Sequence, residues 1–221
     1  VAAVLNAIIQ LEHEGFEIHF REDTLRDLAS SCHLLAPGPV SDLARDLPDE
    51  VLDQVELLIT GWGSKPLDAA TRARMPRLQL VAHLAGTVKH VLSPDLIQSG
   101  VRVTHAAAAN AFPVAQYVLA VTLLHNKRVL QWIDLFAEKR GALRPRNEAA
   151  YRGIGNRDKV VGIVGASRVG RCTIDLMRPH GLHLLLHDPY LPDEDARALG
   201  CEPASLDRLL AESDVVSLHQ P

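Results

Sequence analysis

The stretch "VVGIVGASRVGR", residues 160–171, decides how the second half of the chain is read. An apolar, β-branched run leads into Gly165, Ser167 and Gly170 and then into a helical pattern. That strand–turn–helix setting is what a dinucleotide-binding glycine loop requires. Gly165 makes the tight turn, the middle position lets backbone approach the pyrophosphate, and Gly170 lets the helix pack closely on the sheet. Ser167 stands where the middle glycine is usual. Its hydroxyl can donate to a phosphate oxygen, and the helix start still offers free N–H groups and a positive dipole end. The substitution perturbs the site without abolishing it. Asp188, closing the next strand in "LLLHDPY", lies 18 residues after Gly170. An acidic residue there holds the adenine ribose and disfavours a 2′-phosphate.

Rival glycine patterns fail. The short-chain dehydrogenase loop needs a glycine at position 169, which is Val, and a Tyr with a Lys four residues on, which Tyr117, Tyr151 and Tyr190 all lack. A methyltransferase reading leaves the long preceding helix and the closing "SLHQP" without a place.

Working outward, the second half alternates strand and helix: "KVVGIVG", a helix from Ser167 to about Pro179, "HLLLHD", "PDEDARALG", "SLDRLLAES" capped by Ser205, and the strand "DVVSLH". The first half alternates as well, which indicates a parallel sheet with crossover helices. Strands are expected at "FEIHF" (16–20), "VELLIT" (55–60), "LQLVAHL" (78–84) and "VRVTHA" (101–106). Between them, "LDAATRARM" and "SPDLIQSG" read as short helices, the latter with Ser93 as N-cap, Pro94 first and Gly100 as stop. One long helix is expected over 112–140 and a polar loop over 141–158. The fold class is therefore α/β with two doubly wound parallel-sheet domains. The expected boundaries are 1–109 for a flavodoxin-like substrate domain and 110–221 for a Rossmann domain that begins with the long helix.

Composition narrows the class. With 221 residues, 47% of them hydrophobic, the chain can bury a substantial core. Net charge is −4 and the basic residues are scattered, so nucleic acid is not an expected partner. The apolar window 106–124 contains Asn110, Pro113, Gln116 and Thr122, which argues against a membrane span. Cys32, Cys172 and Cys201 have no metal or redox spacing, and a reducing, cytoplasmic setting is expected. His180, His183 and His187 are separated by the break at Gly181, so no metal site is expected. His83, His90 and His105 fall near strand ends, where they would shape a pocket. The absence of an initiating Met and the end at "SLHQP" lead us to expect a fragment.

Four ordered segments resemble the D-specific 2-hydroxyacid dehydrogenases: "LQLVAHLAGTVKHVL", "NAFPVAQYVLAVTLLHNKR", "KVVGIVGASRVGR" with "HDPY", and "LLAESDVVSLHQP". The resemblance implies NAD as cofactor, a small 2-hydroxy or 2-oxo acid as substrate, and a homodimer formed through the 112–140 helix. It implies that Ala85, Gly86 and Thr87 receive the substrate carboxylate and that Asn110 approaches substrate and nicotinamide, although Asn110 also suits a helix cap. Arg168 and Val169 would give backbone N–H groups to the pyrophosphate, Asp188 would hold the ribose, and His219 to Pro221 would line the cofactor cleft. The family's catalytic Arg, Glu and His are implied beyond residue 221, so no catalytic residue is assigned within the chain. Lys89 and Gln116 stand where the family has Asp and Glu, which alters the local electrostatics. The same resemblance leaves a second function open, an NAD-sensing binding protein like the family's transcriptional corepressors.

Overall fold

The computed structural model describes residues 4–139 and 152–220. The chain divides between Ala107 and Ala108, two residues before the expected boundary.

The first unit is built on five parallel strands: β1 (Leu5–Gln10), β2 (Cys32–Leu34), β3 (Leu57–Thr60), β4 (Leu80–His83) and β5 (Arg102–His105), in the order β2-β1-β3-β4-β5. This is the flavodoxin-like winding, with its switch between β1 and β3. Successive side chains alternate faces, and both faces are apolar, as a parallel sheet covered on two sides demands. Ile8, Leu58 and Val81 face one core, packed by Leu43, Leu52, Met75 and Leu96. Those residues come from, or lie beside, the helices α3 (Leu43–Asp46), α4 (Asp49–Leu52), α5 (Ala69–Ala73) and α6 (Pro94–Gln98), which follow α1 (His13–His19) and α2 (Glu22–Ser31) in the chain. Ala7, Ile9, Leu57 and Ile59 face the other core, against Phe16 and Phe20 and against Leu25 and Leu28 of α2. Asp42, Asp68 and Ser93 cap α3, α5 and α6, each accepting a first-turn N–H that would otherwise be orphaned.

One expectation is corrected in this unit. "FEIHF" is not a strand: residues 16–19 belong to α1. Its apolar positions satisfy both periods, and the Phe16 and Phe20 rings stack 5.0 Å apart, as i, i+4 partners on a helical turn do. The first strand is instead β1, a mostly buried run beside the middle strand β3, with no alternation to mark it in the sequence.

The second unit carries β6 (Val160–Val164), β7 (His183–His187), β8 (Glu202–Pro203) and β9 (Val215–Leu218), in the order β8-β7-β6-β9, all parallel. Counting from β6, that is the 3-2-1-4 half of a Rossmann sheet. The helices are α7 (Ala107–Asn126), α8 (Val129–Lys139), α9 (Arg168–Met177), α10 (Asp193–Ala198) and α11 (Leu206–Glu212). Ile174 and Met177 of α9 pack on Val161, Ile163, Leu184 and Leu186 of the sheet. Ser205 caps α11 as expected, accepting from the Arg208 N–H at 3.2 Å. The single helix expected over 112–140 is two: Arg128 adopts a left-handed φ of 53° and ends the run between α7 and α8. Of the expected loop, 141–151 lies outside the described residues.

Candidate functional site

In an open α/β sheet, ligands gather beyond the carboxyl ends of the strands at the switch in strand order. In the second unit that point lies between β6 and β9. Gly165 follows β6 with φ +96°, and a Cβ there would stand 2.9 Å from the His219 carbonyl oxygen. A Cβ at Gly170 would collide with the carbonyl oxygen of Gly165. Both positions leave only hydrogen where any other residue would strike backbone, so the turn closes tightly against the start of α9 and the chain after β9.

Ser167 caps α9, with its Oγ accepting from the Gly170 N–H at 3.3 Å. A hydroxyl that accepts keeps its own hydrogen for donation. Arg168 is exposed and Val169 half-buried on the first turn of α9, where helix N–H groups lack internal acceptors. Asp188 comes into direct contact with this turn. One carboxylate oxygen accepts from the Ala166 N–H at 2.7 Å and the other from the Tyr190 N–H at 2.9 Å. Each oxygen retains a lone pair for a further donor. The latch onto Ala166 was not foreseen from the sequence, because a backbone donor leaves no signature in residue type.

His219 is buried, its backbone N–H donates to Val164, and its Nε2 meets the Ser217 hydroxyl at 2.9 Å. Burial pushes its pKa below the ordinary histidine value, which keeps the ring neutral. Pro221 lies outside the described residues. Beside Asp188 opens a cavity of about 380 Å³, lined among others by His187, Pro189, Pro203, Ala204 and Ser205. Residues 203–205 were missed because β8, two residues long, is too short to leave a period.

In the first unit, the loop after β4 is anchored at its root. The Ala106 N–H donates to the carbonyls of His83 (3.0 Å) and Ala85 (3.1 Å). Ala85 is buried, Thr87 is exposed, and a Cβ at Gly86 would meet nothing within 4 Å, so the loop opens outward from its base. Lys89 is exposed beyond it, and Gln116 is exposed on α7. Asn110 sits on the fourth residue of α7, inside the helix, so it is not the cap.

Other groups are accounted for structurally. His183 pairs with Glu202 at 2.9 Å, and His187 Nδ1 lies 3.1 Å from the Ala204 carbonyl. No metal-ligating cluster occurs among the described residues. Burial raises the Cys201 thiol to about 11, which keeps it protonated and unreactive.

Residues 119–221 match the family described as "D-isomer specific 2-hydroxyacid dehydrogenase, NAD binding domain". D-3-phosphoglycerate dehydrogenase of Mycobacterium leprae is 30% identical over 157 residues, 70% of this chain and 28% of that protein. Glyoxylate reductase of Korarchaeum cryptofilum is 27% identical over 159 residues, 71% of this chain and 47% of that protein. The chain thus spans less than half the length of these curated relatives. Among solved structures, a phosphoglycerate oxidoreductase from Rhizobium etli superposes with a TM-score of 0.76 at 23% identity, over 98% of this chain and 66% of that one. D-lactate dehydrogenase from Aquifex aeolicus, complexed with NAD and lactic acid, gives 0.68 at 28% identity, over 98% and 60%. A fold of the Rossmann kind, a glycine turn that only hydrogen can fill, and a family match across the same residues converge: residues 119–221 are an NAD-binding domain of the D-isomer specific 2-hydroxyacid dehydrogenase kind.

Proposed function

We propose that the protein carrying this chain interconverts a small 2-hydroxy acid and its 2-oxo acid with NAD(H). The observation that carries the reading is the turn Gly165–Gly170 at the carboxyl end of β6, closed by Asp188, which directly follows β7. When bound, NAD(H) supplies or accepts the hydride at C2 of the acid. The chain's own part is to hold and orient. The backbone of Ser167, Arg168 and Val169 at the start of α9 takes the pyrophosphate, with Ser167 able to add a hydroxyl donor. Asp188 accepts from the adenine ribose hydroxyls, and a second negative charge at a 2′-phosphate would be repelled there. The neighbouring 380 Å³ cavity suits the adenine end. His219 lines the cofactor side of the site. Ala85, Gly86 and Thr87 offer backbone N–H groups to the substrate carboxylate, and Asn110 serves substrate orientation.

We also propose a homodimer. The helices α7 and α8 leave Phe112, Tyr117, Val121, Leu130, Ile133 and Phe136 exposed, and a second copy is a covering that fits so many large apolar side chains on two successive helices. The three cysteines are unpaired, in keeping with a cytoplasmic setting.

Turnover of NADH with glyoxylate, pyruvate and hydroxypyruvate tests the reading. Oxidation of NADH with at least one of them is expected. Intact NADH binding with no oxidation by any would replace it with the cofactor-sensing binding protein.

A further inference from the structure

The carboxyl edge of the first sheet carries a row of polar side chains where the row beneath is aliphatic. Gln10 pairs in register with Thr60, Thr60 with His83, and His83 with His105. Two residues earlier on the same face the row reads Ile8, Leu58, Val81 and Val103. Gln10, Thr60 and His83 are nonetheless buried, at 2%, 0% and 2% exposure. Polar groups in such a place are retained only when they hold something.

Gln10 holds the chain beyond the strands, and Thr60 and His83 hold each other. The Gln10 side-chain amide donates to the Lys65 carbonyl at 3.3 Å, in the segment after β3. The Thr60 hydroxyl lies 2.9 Å from His83 Nδ1. The other ring nitrogen of His83, Nε2, is buried with no hydrogen-bond partner. Burial above all opposes protonation of His83, and His90, its ring edge-on with centroids 5.8 Å apart, and His105 on the adjacent strand add to it. The Thr87 backbone is the one influence in the opposite sense. A neutral imidazole donates at one nitrogen and accepts at the other, so a donating Thr60 hydroxyl at Nδ1 leaves the proton on Nε2.

We propose that His83 is a positioning residue for the substrate carboxylate: neutral, with Nδ1 held by Thr60, it turns its Nε2–H onto the Thr87 carbonyl when the acid docks. The proposal rests on the reading of Ala85–Thr87 as the carboxylate loop. In a trans peptide the carbonyl and the following N–H point in opposite directions. A Thr87 carbonyl held towards His83 therefore aims the Val88 N–H away from the core, towards an incoming anion. His83 contributes no charge to the acid; it fixes the direction of a backbone dipole.

Ring nitrogen spectra of the 221-residue chain, with oxamate as an inert 2-oxo-acid analogue, test this together with kinetics of the protein that carries it. Expected are an Nε2–H tautomer at His83 and shifts of the Thr87 and Val88 amides on adding oxamate. His83→Leu should weaken oxamate and raise KM for the 2-oxo acid about tenfold, with kcat within about twofold and NADH affinity unchanged. His83→Gln, which keeps an N–H donor, should restore most of the loss. Thr60→Val, which removes the Nδ1 partner at constant volume, should redistribute the tautomer and raise KM in the same sense if His83→Leu does not fold. An Nδ1–H tautomer, or a folded His83→Leu that binds oxamate like the parent, overturns the proposal. A parent protein that turns over no 2-oxo acid fails the proposed function instead, while the tautomer and the Thr87 and Val88 shifts still decide the role of His83.

Discussion

At the scale of single residues, Asp188 is the most constrained group of the candidate site. Its two oxygens accept backbone N–H groups from Ala166 and Tyr190, so the same carboxylate shapes the glycine turn and is the group proposed to hold the ribose. Asp188→Ala should therefore do two things at once. The preference for NADH over NADPH should relax, and stability should fall by roughly 1–3 kcal/mol as two hydrogen bonds to a charged acceptor are lost. Binding titrations with both cofactors and urea unfolding measure the two effects. An unchanged preference would remove Asp188 from the ribose site. The residue type and spacing of Gly165, Gly170 and Asp188 were legible in the sequence because each has a steric or charge requirement. The place of Asn110 inside α7 was not, because the helix starts within the run Ala106–Ala109 and His105, whose Nδ1 accepts from the Ala107 N–H at 3.3 Å, is not a residue type that marks a cap.

At the scale of elements, legibility followed how strongly a period was expressed. The strands β3 to β7 and β9 were read because long apolar runs sit between Gly, Pro or Asp. The helix α1 was misread because Phe16 and Phe20 serve period two and period four alike. The junction of α7 and α8 was invisible: the residue that stops the helix is an arginine in left-handed geometry, with neither Gly nor Pro to announce it. Such a conformation costs an L-residue about 1–2 kcal/mol. Replacing Arg128 by Gly should leave stability unchanged or raise it by up to about 1 kcal/mol, and Arg128→Ile should lower it by about 1 kcal/mol or more. Denaturant midpoints at constant slope check both, and an Arg128→Ile variant as stable as the parent would contradict the assigned geometry.

At the scale of the whole molecule, each unit buries a histidine whose pKa is held below its ordinary value, His83 in the first and His219 in the second, both chiefly by desolvation. The unfolded chain takes up a proton at each below about pH 6.5, and the folded chain resists doing so. The unfolded state then binds more protons, so stability is full above that pH and declines as pH falls through the lowered folded values. Thermal unfolding between about pH 8 and 5 should show a Tm that is level at the alkaline end and drops on the acid side of about pH 6.5. A Tm that rises on acidification would contradict the buried, neutral state of these rings. The chain passes from one unit to the other once, at Ala107–Ala108, where β5 has ended and α7 begins. A recombination event at that junction would exchange the first unit, which has its own two-sided core, while leaving intact the unit that carries the matched NAD-binding residues, so the two can vary as separately inherited modules.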